Sequence, residues 1–143
     1  MNFLSIKDLS GLEILDAIKI AQSIKKNGPK NLLANKFIAL MFDKPSLRTR
    51  VSFEIGIKRL GGETIYLSKD DVGLGTREPV SDIAKVLDRW VDGIVARVFS
   101  HQSLEILSQN TNIPVINALS DLEHPCQALA DILTIYEKKN TFK

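Results

Sequence analysis

The chain has 143 residues, 44% hydrophobic and 25% charged, with a formal net charge of +2. That is the size and composition of one ordinary globular domain with its own core. The small charge and the lack of a basic stripe interleaved with aromatics argue against nucleic acid, and the single cysteine, Cys126, excludes an internal disulfide and points to a reducing compartment.

The start, MNFLSIKDLS, carries no long apolar segment after a basic residue, so no signal peptide is expected. Ser10 and Glu13 fit a capping box, and Ile14, Ala17, Ile18, Ala21 and Ile24 follow as one apolar stripe at helical spacing. Asn27-Gly28-Pro29 ends that helix. Phe37 to Phe42 is a short continuous apolar run between polar residues, which predicts a buried strand and is far too short for a membrane span. The expected location is the cytoplasm.

Asp43-Lys44-Pro45 breaks the strand. Ser46-Leu47-Arg48-Thr49-Arg50 then opens a helix running to about Leu60, with Val51, Ile55 and Leu60 facing inward, and Gly61-Gly62 stops it. Two hydroxyls and two arginines thus stand where a strand turns into a helix. Such a helix start has unpaired N–H groups and a positive dipole end, and favours phosphate or carboxylate. Arg48 and Arg50 add forked donors. The same residues also fit a capped helix start with solvated arginines.

Thr64 to Leu67 is a second strand, and Ser68 to Pro79 a long loop, either functional or merely exposed. Val80, Ile83, Ala84, Leu87, Trp90 and Val91 predict a third helix with Trp90 in the core. Gly93 to Phe99 is a third apolar run, interrupted by Arg97. A buried arginine there needs a carboxylate or an anionic ligand, unless the strand end reaches water. Ser103 to Gln109 reads as a short helix and Pro114 to Ala118 as a fourth strand. The last helix opens at His124-Pro125, with Pro125 at its first position and Leu129, Ile132, Leu133 and Tyr136 on its apolar face. Glu137 to Lys143 reads as a polar, frayed end. Cys126 reads as a small buried residue, and His101 as a surface residue.

The alternation of strand and helix predicts an α/β fold: a three-layer, four-stranded parallel sheet with helices on both faces. Ligands of such sheets bind beyond the carboxyl ends of the strands. The Ser46 loop, Arg97 and the loop before His124 all fall at that edge. His124 and Gln127 can aim an imidazole and an amide at one small ligand, although each alone would be an ordinary polar residue.

Ser46-Leu47-Arg48-Thr49-Arg50, followed by Val51-Ser52-Phe53-Glu54, resembles the carbamoyl phosphate signature of the aspartate and ornithine carbamoyltransferases. His124-Pro125-Cys126-Gln127 resembles their second signature, and Arg97 stands where the family has a third anion-binding arginine. The context Phe42-Asp43-Lys44-Pro45, together with Ser120-Asp121-Leu122-Glu123 before His124, is similar to the ornithine branch.

The resemblance implies that residues 1–143 form the carbamoyl phosphate domain, the N-terminal half of a two-domain enzyme, excised or truncated from its ornithine-binding half. It implies that Ser46, Leu47 (through its backbone), Arg48, Thr49 and Arg97 hold the phosphate. It implies that Thr49, Arg97 and His124 polarise the carbamoyl oxygen, and that Gln127 binds the carbamoyl nitrogen. Arg50 and Arg77 are further candidates. Family members often have threonine at the second position of the first signature, where this chain has Leu47. They often have glutamine or histidine early in the long loop, where it has Gly73. No metal or organic cofactor is implied; carbamoyl phosphate and ornithine are the implied partners, and the family's catalytic unit is a trimer. Two alternatives stay open: an aspartate or other carbamoyltransferase, and a non-catalytic phosphate-binding or assembly module.

Overall fold

A computed structural model describes residues 1–73 and 78–139. In chain order the elements are α1 (Gly11–Asn27), β1 (Phe37–Phe42), α2 (Leu47–Arg59), β2 (Glu63–Ser68), α3 (Lys69–Val72), α4 (Val80–Leu87), β3 (Gly93–Arg97), α5 (His101–Gln109), β4 (Val115–Leu119) and α6 (Pro125–Lys139). The four strands form one parallel sheet in the order β2-β1-β3-β4.

Strand alternation divides the core. Ala39 and Met41 of β1 share one face with Ile94 and Ala96, under Ile83, Ala84 and Leu87 of α4 and Leu104 and Leu107 of α5. Leu40 and Phe42 share the other with Val95 and Ala118, under Phe53 and Ile57 of α2. Leu40 and Phe42 are buried almost completely, and each such side chain contributes about 1.5–3 kcal/mol by leaving water. The three-layer expectation therefore holds, with all strands parallel.

Local signals set the element ends. Ser10 Oγ accepts from Glu13 N–H while the Glu13 carboxylate accepts from Ser10 N–H at 2.8 Å, closing the expected capping box. At the other end of α1, Gly28 adopts φ 81°, a conformation open to glycine without steric cost. Pairing of Phe42 with Arg97, and of Arg97 with Leu119, brings the ends of β1, β3 and β4 level. The loops that follow these strands leave from one edge.

Several expectations shift. Val51 and Ile55 are each 46% exposed; α2 instead turns Thr49, Phe53 and Ile57 inward. Leu47, Val51 and Ile55 form a second apolar row at i, i+4, i+8, and periodicity alone does not choose between two rows. Trp90 is 76% exposed, because α4 ends at Leu87 and the turn after it carries the indole off the helical stripe. The stretch after β2 is not all loop, since Ser68 caps the short helix α3. α6 continues to Lys139, and Glu137 pairs with Lys25 of α1 at 2.8 Å. The N-terminal residues, unassigned from sequence, extend the sheet: Phe3 bridges to Ile116, donating to Val115 O at 2.9 Å and accepting from Asn117 N–H at 2.8 Å.

Candidate active site

A cavity of about 650 Å³ opens at the carboxyl edge of the sheet. Ser46, Arg48 and Thr49 from the start of α2, Arg97 from the end of β3, and His124 and Gln127 from the start of α6 all line it. Three separate stretches of sequence thus meet at one place.

Thr49 is its hub. Ser46 is the N-cap of α2, and its Oγ accepts from Thr49 N–H at 3.4 Å. The Ser46 hydroxyl donates to Thr49 Oγ1 at 3.0 Å, and Arg97 Nη1 donates to the same oxygen at 3.1 Å. A hydroxyl has two acceptor sites and one proton. Both acceptor sites of Thr49 are filled, so its own proton remains to be donated to a ligand. The first-turn N–H groups of Leu47 and Arg48 have no acceptor within the helix. Arg48 makes no hydrogen bond or ion pair among the described residues.

Two further polar atoms are buried without a partner among the described residues, Arg97 Nε and His124 Nδ1. Leaving such groups unsatisfied costs free energy, and both belong to side chains that line the cavity. Burial holds the His124 imidazole below its ordinary pKa, and the Arg97 charge adds to this, partly opposed by Asp131. His124 is therefore neutral near pH 7. Gln127 Nε2 donates to Asp131 Oδ1 at 2.9 Å, which orients the amide and leaves its Oε1 to accept. The cavity can accordingly bind an oxyanion beside a small polar group. It offers a dipole end, two guanidinium groups, a hydroxyl proton and an amide acceptor.

Not every candidate converges. The Leu47 side chain is 80% exposed and offers only its backbone. Arg50 points elsewhere: its guanidinium stands 3.7 Å from the Tyr66 ring centroid, and its Nε donates to Glu54 at 3.3 Å. It directly follows Thr49, and neighbours on a helix diverge by about 100°. Arg77 lies outside the described residues. Gly73 closes α3 and is not part of the cavity lining.

Ser52, Phe53, Cys126 and Ala130 also line the cavity and were not anticipated as a set. Ser52 and Phe53 lie one helical turn beyond Arg48 and Thr49, and Ala130 one turn beyond Cys126 and Gln127. The i+3/i+4 rule could have placed them. Burial pushes the Cys126 thiol up to about 11, in keeping with an inert packing role. His101 is not a plain surface residue: its Nδ1 lies 2.9 Å from Ser120 Oγ, and its N–H donates to Asp121 at 2.7 Å.

Comparison with known proteins follows the same lines. Residues 1–137 match the family model described as aspartate/ornithine carbamoyltransferase, carbamoyl-P binding domain. An ornithine carbamoyltransferase of Bacillus thuringiensis is 50% identical over 142 residues, which cover 99% of this chain and 45% of that protein. One from Moritella abyssi is 51% identical over 138 residues, covering 95% of this chain and 46% of the relative. Among solved structures, the Pyrococcus furiosus ornithine carbamoyltransferase superposes with a TM-score of 0.92 at 46% identity, over 99% of this chain and 47% of that one. An N-acetyl-L-ornithine transcarbamylase superposes with a TM-score of 0.91 at 35% identity, over 99% of this chain and 49% of that one. The chain thus spans less than half the length of these relatives. By the family match over residues 1–137 and these likenesses, the chain belongs to the aspartate/ornithine carbamoyltransferase family, as its carbamoyl-P binding domain.

Proposed function

We propose that this chain supplies the carbamoyl phosphate site of an ornithine carbamoyltransferase, the enzyme that moves the carbamoyl group to the ornithine amine and yields citrulline and phosphate. One observation carries the reading. The free Thr49 proton and the open first turn of α2 stand at one cavity that Arg48, Arg97 and His124 also line.

The phosphate sits at the start of α2, held by Ser46, Arg48, Thr49, Arg97 and the Leu47 and Arg48 N–H groups. Thr49, Arg97 and His124 face the carbamoyl oxygen, and Gln127 Oε1 accepts from the carbamoyl NH₂. The acceptor amine attacks the carbonyl carbon, and a C–N bond forms while charge grows on the carbonyl oxygen. Donors already fixed around that oxygen stabilise the charge without reorganising. The C–O bond to phosphate then breaks, and the departing phosphate takes the electron pair and the proton lost by the amine. Holding the carbonyl in place lowers much of the remaining barrier.

Ornithine as the acceptor is supported by the names of the relatives at about 50% identity. The likeness to an N-acetyl-L-ornithine transcarbamylase keeps a modified ornithine as the second reading. Residues that grip the acceptor belong to a part of the enzyme outside these 143 residues. A homotrimer in the cytoplasm, in arginine metabolism, completes the proposal.

Calorimetric titration with carbamoyl phosphate, with inorganic phosphate as the control, tests it. Saturable binding that both Arg48→Ala and His124→Ala weaken is expected, with no citrulline formed by the 143-residue chain alone. Absence of binding by the folded chain and by a longer chain that includes the rest of the enzyme would overturn it.

A further inference from the structure

Glu123 stands immediately before His124 and does not line the cavity. Its Oε1 accepts from Ser5 Oγ at 2.6 Å and its Oε2 from Ile6 N–H at 3.0 Å. These bonds, the Ser5 hydroxyl first, hold the Glu123 carboxyl below its usual range, so both are charge-assisted. The segment that supplies them is itself anchored. Phe3 is bridged to Ile116 of β4, and Asn117 Nδ2 donates to Leu4 O at 2.8 Å.

The turn carrying Glu123 is also held by its own backbone and by His101 of α5. Ser120 N–H donates to Glu123 O at 3.0 Å. Ser120 Oγ lies 2.9 Å from His101 Nδ1, and Asp121 Oδ1 accepts from His101 N–H. His124 Nδ1, by contrast, has no partner among the described residues. Its ring is therefore aimed by where the backbone puts it, and that backbone leaves the braced turn.

We propose that Glu123 is a positioning residue for His124: its carboxylate ties the turn before α6 to residues 3–6 and so fixes the imidazole over the carbamoyl oxygen. The N-terminal segment thereby becomes part of the site without touching substrate. This rests on the role given to His124 under the proposed function.

The chain has two histidines, so imidazole ¹⁵N–¹H spectra resolve His124 once His124→Asn assigns it. Spectra of the 143-residue chain are recorded free and with carbamoyl phosphate. Glu123→Ala should move the His124 ring signals in the free chain. It should also weaken carbamoyl phosphate binding roughly tenfold, about the worth of one hydrogen bond to the ligand. Ser5→Ala should do the same to a smaller degree. Glu123→Gln, which keeps an acceptor for Ile6 N–H, should restore most of both. Asp88→Ala is the control. Asp88 accepts from Asn112 and Ile113 N–H at the far end of β4, so this variant should lower stability and leave the His124 signals in place.

Unmoved His124 signals in a folded Glu123→Ala or Ser5→Ala chain would overturn the inference. So would an equal shift in Asp88→Ala. If the parent chain binds no carbamoyl phosphate, the catalytic reading suffers, while the free-chain spectra still decide whether Glu123 aims His124.

Discussion

Arg97 Nη1 donates to Thr49 Oγ1 at 3.1 Å, joining the last residue of β3 to the first turn of α2 across 48 positions of sequence. The parallel pairing of Phe42 with Arg97 makes this reach possible. The bond holds the guanidinium still, and it commits the threonine proton to whatever occupies the cavity.

Thr49→Val keeps the side-chain shape and removes both roles. The Ser46 hydroxyl and Arg97 Nη1 lose their acceptor in a part-buried setting, which costs about 1–3 kcal/mol. Urea unfolding should register that loss, and carbamoyl phosphate titration a larger one. A stable variant that still binds would show that the hub is only a helix cap.

The two arginines of the first motif should separate. Arg48→Ala removes no hydrogen bond or ion pair among the described residues, so stability should move by no more than about 0.5 kcal/mol. Binding of the anion should collapse, because a charge-assisted donor is gone. Arg50→Ala should do the reverse. It gives up the stack on Tyr66 and the bond to Glu54, a loss of about 0.5–1 kcal/mol at an exposed site, and leaves the affinity alone. Paired thermal melts and titrations of the two variants check this, and matching profiles would contradict it.

His124 should make stability depend on pH near neutrality. Its pKa in the folded chain lies below the ordinary 6.5, through burial first and Arg97 second. Between the lowered value and 6.5 the unfolded chain binds more protons, so folding stability rises with pH in that window. The contribution is complete above 6.5 and is lost as pH falls from there through the lowered value. Urea midpoints of the parent and of His124→Asn, compared from about pH 5.5 to 7.5 around that ordinary value, should diverge in slope. Parallel slopes would place the imidazole in water.

Much of this was legible before the structure. The apolar runs at residues 37–42 and 93–97 are continuous because those strands are covered on both faces, and that continuity is readable. The Ser10 capping box was legible too, since it is local. The inward row of α2 was not: Leu47, Val51 and Ile55 compete with Thr49, Phe53 and Ile57 at the same spacing, and only the sheet beneath decides. Nor was Trp90, whose exposure follows from where α4 stops. In the site, the convergence of Ser46, Arg97 and His124 followed from strand ends. The partition between Arg48 and Arg50 depended on Tyr66, a residue of β2. The brace from Ser5 to Glu123 spans 118 positions, and no local pattern announces such a contact.

Cys126 lines the cavity, yet its thiol should be slow to react. Burial raises it from the ordinary 9.0 to about 11, and its Sγ–H faces Asn117 O at 3.5 Å. At neutral pH the thiolate fraction then falls roughly a hundredfold. A more basic thiolate is also a better nucleophile, which restores part of the rate, so alkylation should run roughly tenfold slower than in the urea-unfolded chain. Because this is the chain's one cysteine, intact mass against time in iodoacetamide reads the rate directly. Carbamoyl phosphate should slow it further by filling the space beside the sulfur. Labelling as fast in the folded chain as in urea would mean that the thiol lies in water and that α6 opens differently from the packing described for it.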